Sequence, residues 1–216
     1  MPELISCRMA RESGIWILIR VLEVSASIPI LVLLAPLMAV AAAAIAILSR
    51  RSPLVAHLRI GQFGAPFWTL KFRTMWDGGA VTARPRLIEY IVDDGRLEYK
   101  PSADPRVTSE VARFCRRFSI DELPQLVNVL RGEMSLVGPR PLTEGELKKY
   151  YGADAAEVLQ VRPGITGLWQ VMGRSRLSFE RRRELDLRLV RERTLTLYLR
   201  ILMRTIPAVV KGKDGW

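Results

Sequence analysis

The run Val24-Ser-Ala-Ser-Ile-Pro29-Ile-Leu-Val-Leu-Leu-Ala-Pro36-Leu-Met-Ala-Val-Ala-Ala-Ala-Ala-Ile-Ala-Ile-Leu48 carries no charged side chain over 25 residues. At 1.5 Å per residue a straight helix of that length reaches ~37 Å, enough to cross the hydrocarbon core of a bilayer. A buried helix of a soluble domain is a poor explanation for so long an uncharged run. A secretory signal would be shorter and would close on a small-residue cleavage site, whereas here Arg50 and Arg51 follow at once. The stretch reads as a retained membrane segment. Basic residues flank it on both sides, Arg8, Arg11 and Arg20 before and Arg50, Arg51 and Arg59 after. Such symmetry gives a spanning helix no preferred orientation and suits a segment with both ends cytoplasmic. Pro36 stands at the midpoint, two turns after Pro29, and a proline removes a backbone bond and kinks the helix. The residues alone leave two topologies open: a crossing with a tolerated proline, and a helix that breaks at mid-depth and returns.

The charge lies elsewhere. Of 216 residues, 33 are Lys or Arg and 22 are Asp or Glu, a net +11. Residues 1–48 sum to zero, so residues 49–216 hold the excess as 30 basic against 19 acidic side chains. A balance of that sign points to a polyanionic partner, whether nucleic acid, anionic lipid or a phosphorylated substrate. The membrane segment disfavours nucleic acid, and no nucleic-acid partner is expected. With 49% hydrophobic residues and a mean hydropathy of +0.12, wholesale disorder is excluded. A single histidine, His57, argues against a site of several imidazole ligands. Cys7 and Cys115 form no CxxC pair, so a disulfide scaffold is not expected and a reducing compartment fits. The expected organisation is a membrane-inserted segment over 1–48 and a second domain over 49–216.

Leu54 to Met75 reads as a β-hairpin around Gly61-Gln62-Phe63-Gly64-Ala65-Pro66. In its second strand Trp68, Leu70 and Phe72 alternate with Thr69, Lys71 and Arg73, which puts Lys71 and Arg73 on one face. Residues 76–105 read as loops with a short helix around Leu87–Val92. A helix over Ser109–Arg117 ends in Arg116 and Arg117. The next helix shows an apolar stripe, Leu123, Leu126, Val127 and Leu130, with Gly132 as its stop. Ser119 and Glu122 stand in the spacing of a capping box, and Pro124 belongs near a first turn. Asp121 and Glu122 thus fall at a helix N-terminus, where acidic residues ordinarily do no more than complement the dipole.

Their surroundings suggest more. Lys71, Arg73, Arg116 and Arg117 are joined by Gly138-Pro139-Arg140-Pro141, whose prolines preorganise the Arg140 guanidinium. A second stiff segment, Arg162-Pro163-Gly164-Ile165-Thr166-Gly167, leads to Trp169, Gln170 and Arg174. Guanidinium groups grip phosphate oxygens in pairs, and a carboxylate among them attacks phosphorus or holds Mg²⁺. Residues 174–204 carry ten Arg against four acidic residues, and Leu195, Leu199, Leu202, Ile206 and Val209 form a helical stripe beyond. That helix suits the membrane interface or an ordinary packed surface equally.

The run Arg117-Phe-Ser-Ile-Asp-Glu-Leu-Pro-Gln-Leu-Val-Asn-Val-Leu-Arg-Gly-Glu-Met-Ser-Leu-Val-Gly-Pro-Arg-Pro141 resembles the core signature of the bacterial sugar transferases, the monotopic polyprenyl-phosphate sugar-1-phosphate transferases. Lys71-Phe-Arg-Thr-Met75, Asp104-Pro-Arg-Val-Thr108 and Arg162-Pro-Gly-Ile-Thr-Gly-Leu-Trp-Gln-Val171 match the other blocks in the same order, and the likeness covers about Arg20 to Lys211. The resemblance implies an α+β, mainly helical fold. It has an N-terminal re-entrant helix broken at proline, a short β-hairpin, and interfacial amphipathic helices around a small cytoplasmic catalytic domain. It implies that Asp121 attacks the β-phosphorus of a nucleotide sugar, expected to be UDP-linked, with Glu122 and Asp121 holding Mg²⁺. The phosphosugar then passes to undecaprenyl phosphate at the cytoplasmic face of the bacterial inner membrane. Lys71, Arg73, Arg116, Arg117, Arg140, Gln170 and Arg174 are the expected substrate-binding residues. Membrane lipids and a second copy in a homodimer complete the expected partners.

Three positions depart from the family pattern. Ala35-Pro36 replaces the usual Ser-Pro at the helix break, Glu23 replaces an Asp at the helix head, and Tyr198 stands where the C-terminal helix commonly has Asp. The competing reading is a non-catalytic basic protein that binds anionic lipids at the membrane surface. It accounts for the charge but not for an Asp-Glu pair beside proline-locked arginines.

Overall fold

The computed structural model describes residues 2–76, 87–92, 107, 109–173 and 177–210, with side chains from Gly14 onward. The first element, α1, runs from Pro2 to Ser49 as uninterrupted helix with Pro29 and Pro36 inside it. Gly14–Ser49 is long and apolar enough to cross a membrane. From Gly14 onward its buried residues fall in two stretches. Ile19, Glu23 and Ser27, four residues apart on one face, are buried, as are Ala41, Ile45 and Ser49, and no residue from Ile28 to Val40 is. Val32 and Leu33 in that middle stretch are 71% and 78% exposed. In water such a surface would be prohibitive; in lipid it needs no partner.

The hairpin forms as read, with β1 (Leu54–Ile60) antiparallel to β2 (Pro66–Phe72) in a register that opposes His57 to Thr69 and Val55 to Lys71. The expected helix around Leu87–Val92 is instead a strand, β3 (Ile88–Ile91), parallel to β1. The reason is non-local: β1 has a free edge, and the isoleucines of β3 suit a strand paired to it. The sheet order is β2-β1-β3.

α2 (Glu110–Arg117) starts at Ser109, whose hydroxyl accepts from Ala112 N. The helix expected from Ser119 is divided into a 3₁₀ turn over Ile120–Glu122 and α3 (Gln125–Arg131), which stops at Gly132 in the left-handed conformation. Ser119 makes no side-chain cap; it sits at φ 56°, ψ 24°, turning the chain sharply after α2, so the capping-box expectation fails. Asn128, fully buried on α3, accepts from Leu70 N at 3.0 Å and donates to Trp68 O at 2.7 Å, stitching α3 to β2.

Two short parallel strands, β4 (Ser135–Val137) and β5 (Gly164–Thr166), bring the two proline-rich segments together. Between them lie α4 (Glu144–Glu146) and α5 (Ala155–Val158), and after them α6 (Leu168–Met172), α7 (Phe179–Arg191) and α8 (Leu195–Val210). The domain is mostly helical with a few strands. One core gathers Val137, Trp169, Leu185, Tyr198 and Ile201 around Ile19; a second gathers Phe72, Trp76, Cys115 and Ile120 around Ala41 and Ile45. Two stretches of α1, one around Ile19 and one around Ile45, are therefore built into the domain's cores. α8 is apolar on two sides: Tyr198 and Ile201 face the core, whereas Leu199, Met203, Ile206 and Val210 are exposed.

Candidate active site

Period-two alternation on the hairpin sends His57 and Arg59 from β1 and Thr69 and Lys71 from β2 to one face. That face is a wall of an open cleft of about 360 Å³, with Glu122, Gln125, Arg140, Pro141, Gly164, Ile165 and Gln170 completing it. Lys71 Nζ donates to Glu122 Oε1 at 2.6 Å, which fixes the 3₁₀ turn against the sheet.

Asp121 is the anomaly of this turn. It is 6% exposed, and its Oδ1 is buried without a hydrogen-bond partner. Burial, and after it the neighbouring Glu122 charge, pushes its carboxyl up to about 7, against the opposing pull of Lys71 and Arg116. A backbone N–H bond also pulls the carboxyl downward, while Oδ1 stays without a partner.

The opposite wall is made rigid by glycine. Gly138 N donates to Thr166 O at 2.9 Å and Gly164 N to Pro139 O at 2.8 Å. A Cβ on Gly138, Gly164 or Gly167 would run into backbone atoms of the facing segment, so the two loops lie closer than side chains permit. Arg140 leaves this clamp with its guanidinium 5.8 Å from the Trp169 ring centre, and Arg182 lies 5.0 Å from the same ring. Asp186, 1% exposed, accepts from Tyr151 OH at 2.8 Å, and its carboxyl is pushed up to about 7, chiefly by burial.

A cation-lined cleft beside a buried carboxylate with one unpaired oxygen suits a phosphorylated substrate. The family model described as bacterial sugar transferase matches residues 15–212. The chain belongs to the bacterial sugar transferase family. This transferase is 41% identical over 199 residues to the exopolysaccharide production protein ExoY of Rhizobium meliloti (strain 1021), across 91% of this chain and 87% of the relative. To the UDP-glucose:undecaprenyl-phosphate glucose-1-phosphate transferase of Caulobacter vibrioides it is 40% identical over 208 residues, 91% of this chain and 71% of the relative. To the undecaprenyl-phosphate galactose phosphotransferase of Salmonella typhimurium it is 40% identical over 168 residues, 75% of this chain but 34% of the relative, so it spans about a third of that protein.

The expected site residues of the transferase do not all meet. Lys71, Glu122, Arg140 and Gln170 line one cleft, with Asp121 buried beside Glu122 and Arg116 on its far side, 7% exposed and 3.5 Å from Thr74 Oγ1. Arg73 turns away: its Nε donates to Ser52 O at 2.8 Å and its Nη2 to Glu89 on β3 at 2.7 Å. Arg117 lies on the exposed side of α2, 5.4 Å from the Phe118 ring centre. Arg174 lies outside the described residues, as does most of the Asp104–Thr108 block. Sequence reading missed His57, Arg59, Thr69 and Gln125 as cleft residues. Carrying the alternation rule across the hairpin from Lys71 to its partner strand would have found the first three.

Proposed function

We propose that the transferase moves a sugar-1-phosphate from a UDP-sugar to undecaprenyl phosphate through a covalent intermediate on Asp121, so initiating assembly of a polysaccharide. The observation that carries this reading is Asp121 Oδ1, a buried acceptor with no partner, set among Lys71, Arg116 and Glu122. Oδ1 attacks the β-phosphorus, the bond from that phosphorus to the bridging oxygen breaks, and UMP leaves. A phosphate oxygen of the lipid then attacks the same phosphorus and releases Asp121. Lys71, Arg59 and Arg140 neutralise the equatorial charge, and the clamp holds Arg140 in place before substrate arrives.

The donor set fits Mg²⁺. Among the described residues no group of three or more His, Cys, Asp or Glu is placed to hold a metal, so protein ligation would be limited to Asp121 and Glu122. An ion held by one or two carboxylates, with substrate phosphates filling its shell, is the usual mode for this cation, and it would screen charge on the diphosphate.

The same reading makes α1 re-entrant, bent at Pro36, with both termini and the domain on the cytoplasmic side. The two buried stretches of α1 rest on one domain, while the thirteen-residue stretch from Ile28 to Val40 between them has no buried residue. A straight crossing would carry one end across the bilayer and away from the domain. The exposed apolar row on α8 suits seating at the same interface.

The direct test is UMP release from UDP-sugars by membrane-inserted protein with undecaprenyl phosphate, and intact mass after UDP-sugar alone. The expected result is turnover and a hexose-phosphate adduct on wild type that Asp121→Asn lacks; no adduct and no UMP would end the reading. Topology is checked with Cys115→Ser protein in intact cells, where Cys7 is expected to resist a membrane-impermeant thiol reagent until the cells are lysed.

A further inference from the structure

We propose that Thr69 and Gln125, flanked by His57, form the surface that reads the hydroxyl groups of the transferred sugar. The inference rests on the phosphosugar transfer proposed above. Thr69 Oγ1 and Gln125 Nε2 are both buried without a hydrogen-bond partner, although their residues are only 1% and 2% exposed. Both residues line the cleft that holds Lys71, Glu122 and Arg140. A buried hydroxyl or amide with nothing to bond is costly, and such a group in a cleft wall awaits a ligand.

The ligand is uncharged where it meets them. The diphosphate draws Lys71, Arg59 and Arg140, whereas a hydroxyl and an amide match the paired donor and acceptor character of sugar hydroxyls. In-line displacement settles which end of the nucleotide sugar they meet. The leaving nucleotide must lie on the side of the phosphorus opposite Asp121, and the sugar oxygen lies in the equatorial plane, beside the attacking carboxylate. The elements beside Asp121 are β2 and α3: β2 packs against the 3₁₀ turn that carries Asp121, and Gln125 opens α3 just after it. Arg140 and Gln170 come from the opposite wall. His57, directly across the ladder from Thr69, extends the surface along β1.

These groups are also rigidly mounted. A β-branched side chain on a paired strand has little χ1 freedom, and Gln125 is on a helix that Asn128 pins to β2. Fixed donors and acceptors discriminate a hydroxyl from its epimer far better than loop residues that follow the ligand.

The test compares kcat/KM for a panel of UDP-hexoses and UDP-N-acetylhexosamines, read as the ratio between the two best-used epimers. Thr69→Val, nearly isosteric, is expected to change that ratio by roughly tenfold, the value of one hydrogen bond to a neutral partner. Thr69→Ser, which keeps the hydroxyl, should keep the ratio, and Gln125→Met gives an independent reading should Thr69→Val fail to fold. If the variants lower the rate for every sugar alike, the residues are structural and the inference falls while the transfer reaction stands. If wild type releases UMP from no sugar, the transfer reading has failed and takes the inference with it.

Discussion

Two buried carboxylates of this transferase differ in almost everything but burial. Glu23, 3% exposed midway along α1, accepts from Ser135 Oγ, from Leu136 N at 2.8 Å and from Tyr198 OH at 2.6 Å, with Arg20 at 3.5 Å. Asp121, 6% exposed, leaves Oδ1 with no partner at all. Saturation makes Glu23 a structural knot that ties α1, β4 and α8 together. Asp121 keeps one oxygen unpaired, which is what the nucleophile proposed for this position requires. The two departures at Glu23 and Tyr198 noted in the sequence prove to be bonded to each other, so the longer Glu and the Tyr hydroxyl form one joint.

The comparison breaks most visibly at Asp121. Asp121→Asn is expected to cost roughly 10³-fold or more in turnover with the fold intact, since an amide is a very poor nucleophile. Turnover within tenfold of wild type would return Asp121 to the rank of a turn residue. Glu23→Ala should show the opposite phenotype, a loss of about 3–5 kcal/mol of stability, because Tyr198 OH and Leu136 N lose their acceptor in the core. Thermal unfolding in detergent measures it, and a Tm within a degree of wild type would dissolve the proposed knot.

Arg140→Lys tests the rigid wall. A point charge cannot make the two-pronged contact of a guanidinium, and roughly 10–100-fold is expected off kcat/KM. The smallest effect is on stability and changes with pH. Burial raises the Asp121 carboxyl to about 7, so the fold retains a proton that the unfolded chain loses from about pH 4 upward. Stability therefore falls as pH rises through that window. Asp121→Asn should accordingly melt a few degrees higher than wild type at pH 8, by about 1–2 kcal/mol, with the gain gone near pH 4.

What the sequence made legible was local. The uncharged run marked the second half of α1, alternation marked the hairpin, Ser109 marked the start of α2 and Gly132 the end of α3. The Asp121 cleft was legible through its stiff loops, since prolines and glycines bind the backbone wherever it goes. Long-range pairing defeated the rest. Nothing near Leu87–Val92 announces that β1 offers a parallel edge, and Arg73 looked like a phosphate ligand because its partner Glu89 lies on that unseen strand. Thr69 and Gln125 were passed over because a neutral side chain shows its worth only once burial has removed its partners.

The Glu23 joint also sets an order on the birth of the protein. Tyr198 lies 175 residues downstream of Glu23. At about 5–20 residues per second, the ribosome delivers the tyrosine roughly 9–35 seconds after the glutamate. For that interval the membrane segment exists without the last helix that locks it, and Ser135 can offer only a partial seat. The chain completes α1 first and the helix that carries Tyr198 last, so release before Tyr198 yields a fragment with α1 present and its joint undone.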